Sequence, residues 1–140
     1  MHVSGTRPGA ADYAGTAGSD LDGLDYTQLD VADADAINAW NPGFERLDIL
    51  VLAQGAVEYR RKEFEIETFR RVIDVNLNSV MHLCVKFYPL LKAAGGSIIV
   101  ISSIGAYKSV IGNPGYAASK AGVVGLTRTL GDAWGHEGVR

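Results

Sequence analysis

Ile49-Leu50-Val51-Leu52-Ala53 is apolar on every residue, and Gln54-Gly55 ends the run. A strand with no polar face is buried on both sides, as in a parallel sheet covered by helices above and below. Ser97-Ile98-Ile99-Val100-Ile101 repeats the pattern further on and predicts a second fully buried strand. Between them, apolar residues recur at Phe69, Val72, Ile73, Val80, Leu83, Cys84, Phe87, Leu90 and Leu91. That spacing predicts one long amphipathic helix over 68–93, stopped by Gly95-Gly96 at the position where glycine ends helices. After Gly112-Asn113-Pro114-Gly115, a last helix is expected from Tyr116 to Trp134.

Working towards the N-terminus, Tyr26–Val31 predicts a strand, followed by a helix from an Asp33 N-cap through Trp40 and stopped by Asn41-Pro42-Gly43. A short strand is expected at Met1–Ser4. Gly5–Gly23, rich in Gly, Ala, Asp, Ser and Thr, is read as loop with a helical turn near Ala10–Ala14. Strands and helices alternate throughout, which is the mark of an α/β fold with a parallel sheet. No composition shift marks an internal boundary, so residues 1–140 are taken as a single domain.

Composition narrows the function classes. Thirteen Lys and Arg against sixteen Asp and Glu leave a net charge of −3. With no basic cluster longer than Arg60-Arg61-Lys62, a nucleic-acid partner is not expected. No apolar run is long enough for a membrane span, and the start shows no signal-peptide pattern. Cys84 is the single cysteine, which excludes an internal disulfide and an all-cysteine metal site. His2, His82 and His136 are too scattered for a metal centre. A cytoplasmic protein is expected. Seventeen glycines in 140 residues, against a usual share of about 7%, point to tight turns and close backbone approach. Gly122 and Gly125 are expected to allow close helix contact, Cys84 to lie in the core, and Arg60-Arg61-Lys62 with Glu63 and Glu65 to form a solvated face.

Three features bear on chemistry. Tyr116 and Lys120, at i and i+4, project from one helix face. A free tyrosine titrates near 10, and a nearby ammonium favours the phenolate, so such a pair can shuttle a proton. The same spacing also describes an ordinary surface pair. Ser102 and Ser103 follow the Ile98–Ile101 strand, at the end of a parallel sheet where ligands bind. Serines there also satisfy loop backbone groups. Asn76 falls in the apolar stripe, where an amide without partners costs about 1–3 kcal/mol. It therefore has partners, structural or catalytic.

Taken together, Asn76 forty residues before Tyr116, Ser103 thirteen before it and Lys120 four after it resemble the short-chain dehydrogenase/reductase family, with 3-oxoacyl reductases as the default comparison. Leu47–Gly55, Asp74-Val75-Asn76-Leu77 and Gly115–Gly122 carry the flanking likeness. The resemblance implies a Rossmann-type doubly wound parallel sheet and NAD(P) binding. It makes Tyr116 the general acid towards a substrate carbonyl, and Ser103 a hydrogen-bonding partner of the substrate oxygen. Lys120 would assist Tyr116 and hold the nicotinamide ribose, while Asn76 would hold a water that relays protons. Asp30 and Val31 match the adenine-contacting position. The helices over 68–93 and 116–134 match a homo-oligomer interface.

Several positions depart from the family pattern. Leu52-Ala53-Gln54-Gly55 stands where Asn-Asn-Ala-Gly is usual. Ala53 and Gly55 keep backbone contacts to the cofactor, but the asparagine side chains that brace neighbouring strands are missing. Thr6 and Arg7 occupy the place where NAD-preferring relatives carry an acid. Arg7 suits a 2′-phosphate, so NADP(H) is favoured over NAD(H); Arg7 as a solvated loop cation is the alternative. Gly5, Gly9, Gly15 and Gly18 do not fit the Thr-Gly-x-x-x-Gly-x-Gly pyrophosphate turn. The expected architecture is thus a partial Rossmann-type sheet without the first strand-helix unit and the last strands. Residues 1–45 are then expected to be its less stable part, while the Ile49 and Ile98 strands still pair.

The expected function is NADP(H)-dependent interconversion of a small-molecule carbonyl and alcohol. The alternatives are a truncated, non-catalytic remnant that associates through its helices with a full-length subunit, and a chain that binds nucleotide without turnover.

Overall fold

The computed structural model describes the backbone of residues 2–5 and all of residues 25–140. Thr6, Arg7 and the turn expected near Ala10–Ala14 lie outside the described residues. Contacts divide the chain into two compact units, Met1–Gly43 and Phe44–Arg140.

In the first unit, β1 (His2–Gly5) pairs in parallel with β2 (Asp25–Gln28), His2 opposite Asp25 and Gly5 opposite Gln28. The strand expected over Tyr26–Val31 therefore starts one residue early and ends at Gln28. Asp30 is the reason: its Oδ1 accepts the Ala32 N–H at 3.0 Å and its C=O accepts the Asp33 N–H at 3.1 Å. That turn takes Leu29 and Val31 off the ladder while both remain buried. Asp33 then caps α1 (Ala34–Ala39), its Oδ1 accepting from Asp35 and Ala36 at 2.9 and 3.1 Å, as the sequence predicts.

The second unit runs β3 (Ile49–Leu52), α2 (Ile66–Ile73), α3 (Ser79–Ala94), β4 (Ser97–Val100) and α4 (Pro114–Trp134). β3 and β4 pair in parallel, Ile49 opposite Ser97 and Leu52 opposite Val100. Neither strand is buried on both faces. Ile49, Val51, Ile99 and Ile101 share one side by the two-residue alternation of a strand, and all four are exposed, Ile49 by 59%. The two-sided burial that their apolar character predicts is not provided by the described elements of this unit.

The helix expected over 68–93 is also not continuous. α2 and α3 are joined by a π-helical turn, Asp74–Asn78. The buried stripe survives the irregularity, with Val72, Val75, Asn76, Ser79, Val80, Leu83, Cys84, Phe87 and Leu91 all inward. Periodicity alone reads through the turn for that reason. At its other end α3 closes as expected: Gly95 adopts φ +62°, and Gly96 N–H donates to Leu91 C=O at 2.8 Å. Cys84 is fully buried, and burial pushes its thiol up to about 11. It stays a neutral core group at physiological pH.

Gly96 is held where β4 begins. A Cβ there would lie 2.9 Å from Asp48 O, 3.0 Å from Leu47 O and 2.9 Å from Leu91 Cδ2. Two of these neighbours are main-chain atoms that cannot step aside. Gly96→Ala is expected to destabilise by about 1–3 kcal/mol. At Gly125 a Cβ would meet nothing within 4 Å, so Gly125→Ala should stabilise by about 1 kcal/mol through helix propensity alone. Urea denaturation midpoints that move the same way for both would contradict this. Within the chain Gly125 thus faces open space, whereas a Cβ on Gly122 would lie 2.8 Å from Leu77 Cδ2.

Among the described residues no helix is long and apolar enough to cross a membrane.

Candidate functional site

Because β3 and β4 are parallel, the segments that follow them, Ala53–Gly55 and Ile101–Ser103, leave the sheet at the same edge. α4 brings Tyr116 and Lys120 to that edge. Pro114 opens it at the first helical turn, where the missing N–H costs nothing.

Lys120 is 5% exposed, and its Nζ donates to Ile101 C=O at 2.8 Å. The same Nζ lies 6.0 Å from the centroid of the Tyr116 ring. The helix thus delivers the i, i+4 pair on one face and points the cation back at the end of β4. Ser102 Oγ donates to Lys120 C=O at 2.9 Å, a second tie between strand end and helix. Ser103 Oγ accepts the Gly105 N–H at 3.1 Å and caps the short turn Ile104–Ala106. A hydroxyl that accepts in this way still has its own proton to donate elsewhere. A Cβ on Gly105 would sit 3.5 Å from Ser103 Oγ and 3.3 Å from Tyr116 Cε1. The serine oxygen, the tyrosine ring and Val110 Cγ2, at 2.9 Å from the same position, therefore surround one point.

Asn76 has no solvent exposure, and its amide is fully engaged. Oδ1 accepts the Ala56 N–H at 2.6 Å, while Nδ2 donates to Ala56 C=O at 2.9 Å and to Ser119 Oγ at 3.0 Å. Ser119 Oγ in turn donates to Tyr116 C=O at 2.8 Å. The partners required of a buried amide are found, and they link the loop after β3 to α4. Gly55 stands beside this link: a Cβ on it would lie 3.7 Å from Lys120 Nζ and 3.8 Å from Asn76 Oδ1. Gly55 is thus within ordinary contact range of a cation and an amide oxygen. Ala53 is exposed at the same strand end.

The structure brings Ser103, Tyr116, Lys120, Asn76 and Gly55 together. Asp30 and Val31 belong to the first unit, Asp30 holding the turn before α1. Gln54, which stands where the family pattern has alanine, donates from Nε2 to Ser79 Oγ at 2.9 Å. A side-chain brace is therefore present after all, directed to α3 rather than to a strand.

Sequence reasoning missed Glu63. Expected on a solvated face, it is 1% exposed and surrounded by N–H donors. Nothing in the charged run Arg60–Glu65 distinguishes it, because its partners lie at the start of α4, just before it and in its own loop. Ser119 was also passed over, although a serine three residues after Tyr116 is placed to bond back to its carbonyl.

Burial lowers the Lys120 ammonium from the usual lysine value by removing water from the charge. The unfolded chain then binds more protons than the folded one between the two values, so stability rises with pH across that window. Lys120→Met removes the buried charge. Its melting temperature relative to the parent should be highest near neutral pH, and the advantage should shrink as pH rises to the usual lysine range. A difference independent of pH would contradict the assignment.

A family model for short chain dehydrogenase matches residues 9–140. A 2-dehydro-3-deoxy-L-rhamnonate dehydrogenase (NAD(+)) of Sphingomonas sp. is 32% identical over 131 residues, covering 86% of this chain and 51% of that protein. A 3-oxoacyl (acyl-carrier-protein) reductase of Chlamydia trachomatis is 30% identical over 126 residues, covering 84% of this chain and 50% of that protein. A candidate 2-deoxy-D-gluconate 3-dehydrogenase from Agrobacterium tumefaciens, solved with bound NADP, aligns with a TM-score of 0.71 at 31% identity, covering 84% of this chain and 48% of that one. The chain spans about half the length of the curated relatives it matches. The family model runs through almost the whole sequence, and the α/β fold with its parallel strand pair agrees with the solved relative: the chain belongs to the short-chain dehydrogenase family.

Proposed function

We propose that the protein is a nicotinamide-dependent oxidoreductase that interconverts a carbonyl and an alcohol on a small molecule, with Asn76, Ser103, Tyr116 and Lys120 as its working residues. The observation that carries this reading is the meeting of Ser103 Oγ and the Tyr116 ring at Gly105, with Lys120 Nζ behind the ring. Such a constellation holds an oxygen and supplies a proton to it.

In the reductive direction the Ser103 hydroxyl, oriented by the Gly105 N–H, donates to the substrate carbonyl oxygen. Tyr116 gives its phenolic proton to that oxygen as the carbon is reduced. A bound nicotinamide cofactor supplies the hydride in this direction and accepts it in the other. Lys120 spends one N–H on Ile101 and has two left. One would hold a ribose hydroxyl of the bound cofactor beside Gly55, and the other would pass a proton outward to water, with Asn76 fixing the Ala56 main chain next to it. Ala53 and Gly55 offer backbone contacts to the same cofactor, and Asp30 and Val31 are proposed for its adenine.

NADP(H) is favoured over NAD(H) because of Arg7, with Thr6 beside it. A relative named for NAD(+) and a neighbour holding NADP support the cofactor class and leave the preference to this residue. Further parts of the proposal are a single dinucleotide-binding domain over 1–140, a cytoplasmic location and homo-oligomer formation through helices 68–93 and 116–134. Met81 and Val85, both exposed on α3, favour the last. The test is to mix the purified chain with NADPH or NADH and a panel of ketones, following nicotinamide absorbance. Oxidation of NADPH ahead of NADH with at least one ketone is expected. Absence of binding and turnover with both cofactors overturns the reading.

A further inference from the structure

The first turn of α4 has no side-chain cap from its own N-cap residue. Asn113 precedes Pro114 but makes no side-chain cap bond, and the first turn contains no acid. Its orphan N–H groups need an acceptor, and Glu63 provides one from fifty residues upstream. Oε2 accepts the N–H of Tyr116 itself at 2.8 Å. Oε1 accepts from Asn113 Nδ2 at 3.1 Å and from Glu58 N–H at 3.0 Å. Asn113 Nδ2 also donates to Glu58 C=O at 2.9 Å, closing the loop 58–63 onto the helix start. A carboxylate at a helix N-terminus is favoured by the dipole as well as by these bonds.

Two further features hold the arrangement. Arg60 and Arg61 both take positive φ, +60° and +62°, which L-residues adopt at a cost. This left-handed pair turns the chain so that Glu63 points inward while its neighbours Lys62 and Phe64 stay exposed. Gly115 gives the carboxylate room: a Cβ there would lie 3.3 Å from Glu63 Oε2 and 3.3 Å from Phe69 Cδ2. At the other end of the residue, Tyr116 C=O receives Ser119 Oγ, which Asn76 fixes. Glu63 directly, and Asn76 through Ser119, thus bear on both polar groups of the Tyr116 main chain.

We propose that Glu63 is a positioning residue for Tyr116, setting the height and rotation of the first turn of α4 so that the phenol meets the oxygen held by Ser103. The inference rests on the reading of Tyr116 as the proton donor. Glu63 touches neither substrate nor cofactor and acts through the main chain. Removing a hydrogen bond to a charged group changes a local equilibrium by roughly 10- to 100-fold.

The test compares the parent chain with Glu63→Gln and Glu63→Ala. Amide hydrogen exchange of the labelled chain reports on the clamp without any need for turnover. In Glu63→Ala, exchange at Tyr116 should accelerate roughly 10- to 100-fold, while Val123 in mid-helix stays within about threefold. Glu63→Gln, which keeps an acceptor and the side-chain volume, should fall between. In steady-state kinetics, kcat should drop by a similar factor in Glu63→Ala with KM for the cofactor unchanged, and recover in part in Glu63→Gln. Unchanged protection at Tyr116 overturns the proposal. So does uniform loss of protection along α4 with kcat per folded molecule retained, which would make Glu63 merely structural. If the parent itself shows no turnover, the functional reading fails, and the exchange data still decide whether Glu63 holds Tyr116.

Discussion

Tyr116→Phe is expected to lower carbonyl reduction by about a hundred- to ten-thousandfold, the usual contribution of a positioned general acid. The substitution removes one oxygen and leaves the ring. Both main-chain bonds of residue 116, to Glu63 Oε2 and from Ser119 Oγ, are independent of the side chain and should persist. The ring also retains its contact beside Gly105 and its place 6.0 Å from Lys120 Nζ. The thermal midpoint should therefore match that of the parent within a degree or two, roughly the effect of a surface substitution. Cofactor affinity should be equally unaffected, because the contacts proposed for the ribose come from Lys120 and the Gly55 backbone. The measurement is initial-rate nicotinamide oxidation at saturating cofactor, with the melt recorded on the same preparation. Undiminished turnover would remove Tyr116 from the mechanism, whatever became of the other residues.

Asn76→Ala should show the largest stability loss, about 3 kcal/mol, since a few buried polar groups lose their partners together. Ala56 N–H and C=O are both satisfied by this one amide, and Ser119 Oγ loses the donor that orients it. The side chain is fully buried, so water does not replace it directly. For a unit of this size such a loss corresponds to a fall of more than about 10 °C in the melting temperature. The π turn around Asn76 adds to the effect. An irregular turn is retained only where its side-chain partners favour it, and those partners are the ones removed. Urea denaturation followed by circular dichroism gives the loss, with an unchanged slope confirming that unfolding remains two-state. An unaltered midpoint would show that the loop after β3 is held by other contacts and that Asn76 is not the link between it and α4.

Features set by neighbours along the chain were legible in the residues. The Asp33 cap, the glycine stop at Gly95, α4 and the shared face of Tyr116 and Lys120 all depend on spacings of one to four residues. Helix and strand periodicity encode such relations directly. Pairing of the two apolar strands was legible too, because neither can leave its backbone groups unpaired away from water. The continuous helix over 68–93 was wrong in one respect for a related reason. A π turn inserts its extra residue without exposing the stripe, so the pattern of Val72, Val75, Asn76 and Ser79 looks uninterrupted.

The sequence by itself determined the α/β alternation, the strand pair and the motif that marks the family, since each is written in local spacing and residue chemistry. Tertiary structure alone decided what lies far apart in the chain and close in space. It buried Glu63 against Tyr116, turned Gln54 to Ser79, drew Lys120 to Ile101 and left Ile49, Val51, Ile99 and Ile101 open to solvent. A charge in a charged run, or an apolar residue in an apolar strand, reads the same whether covered or bare. Only the partners that the fold brings against it determine its burial, and with it the role of the residue.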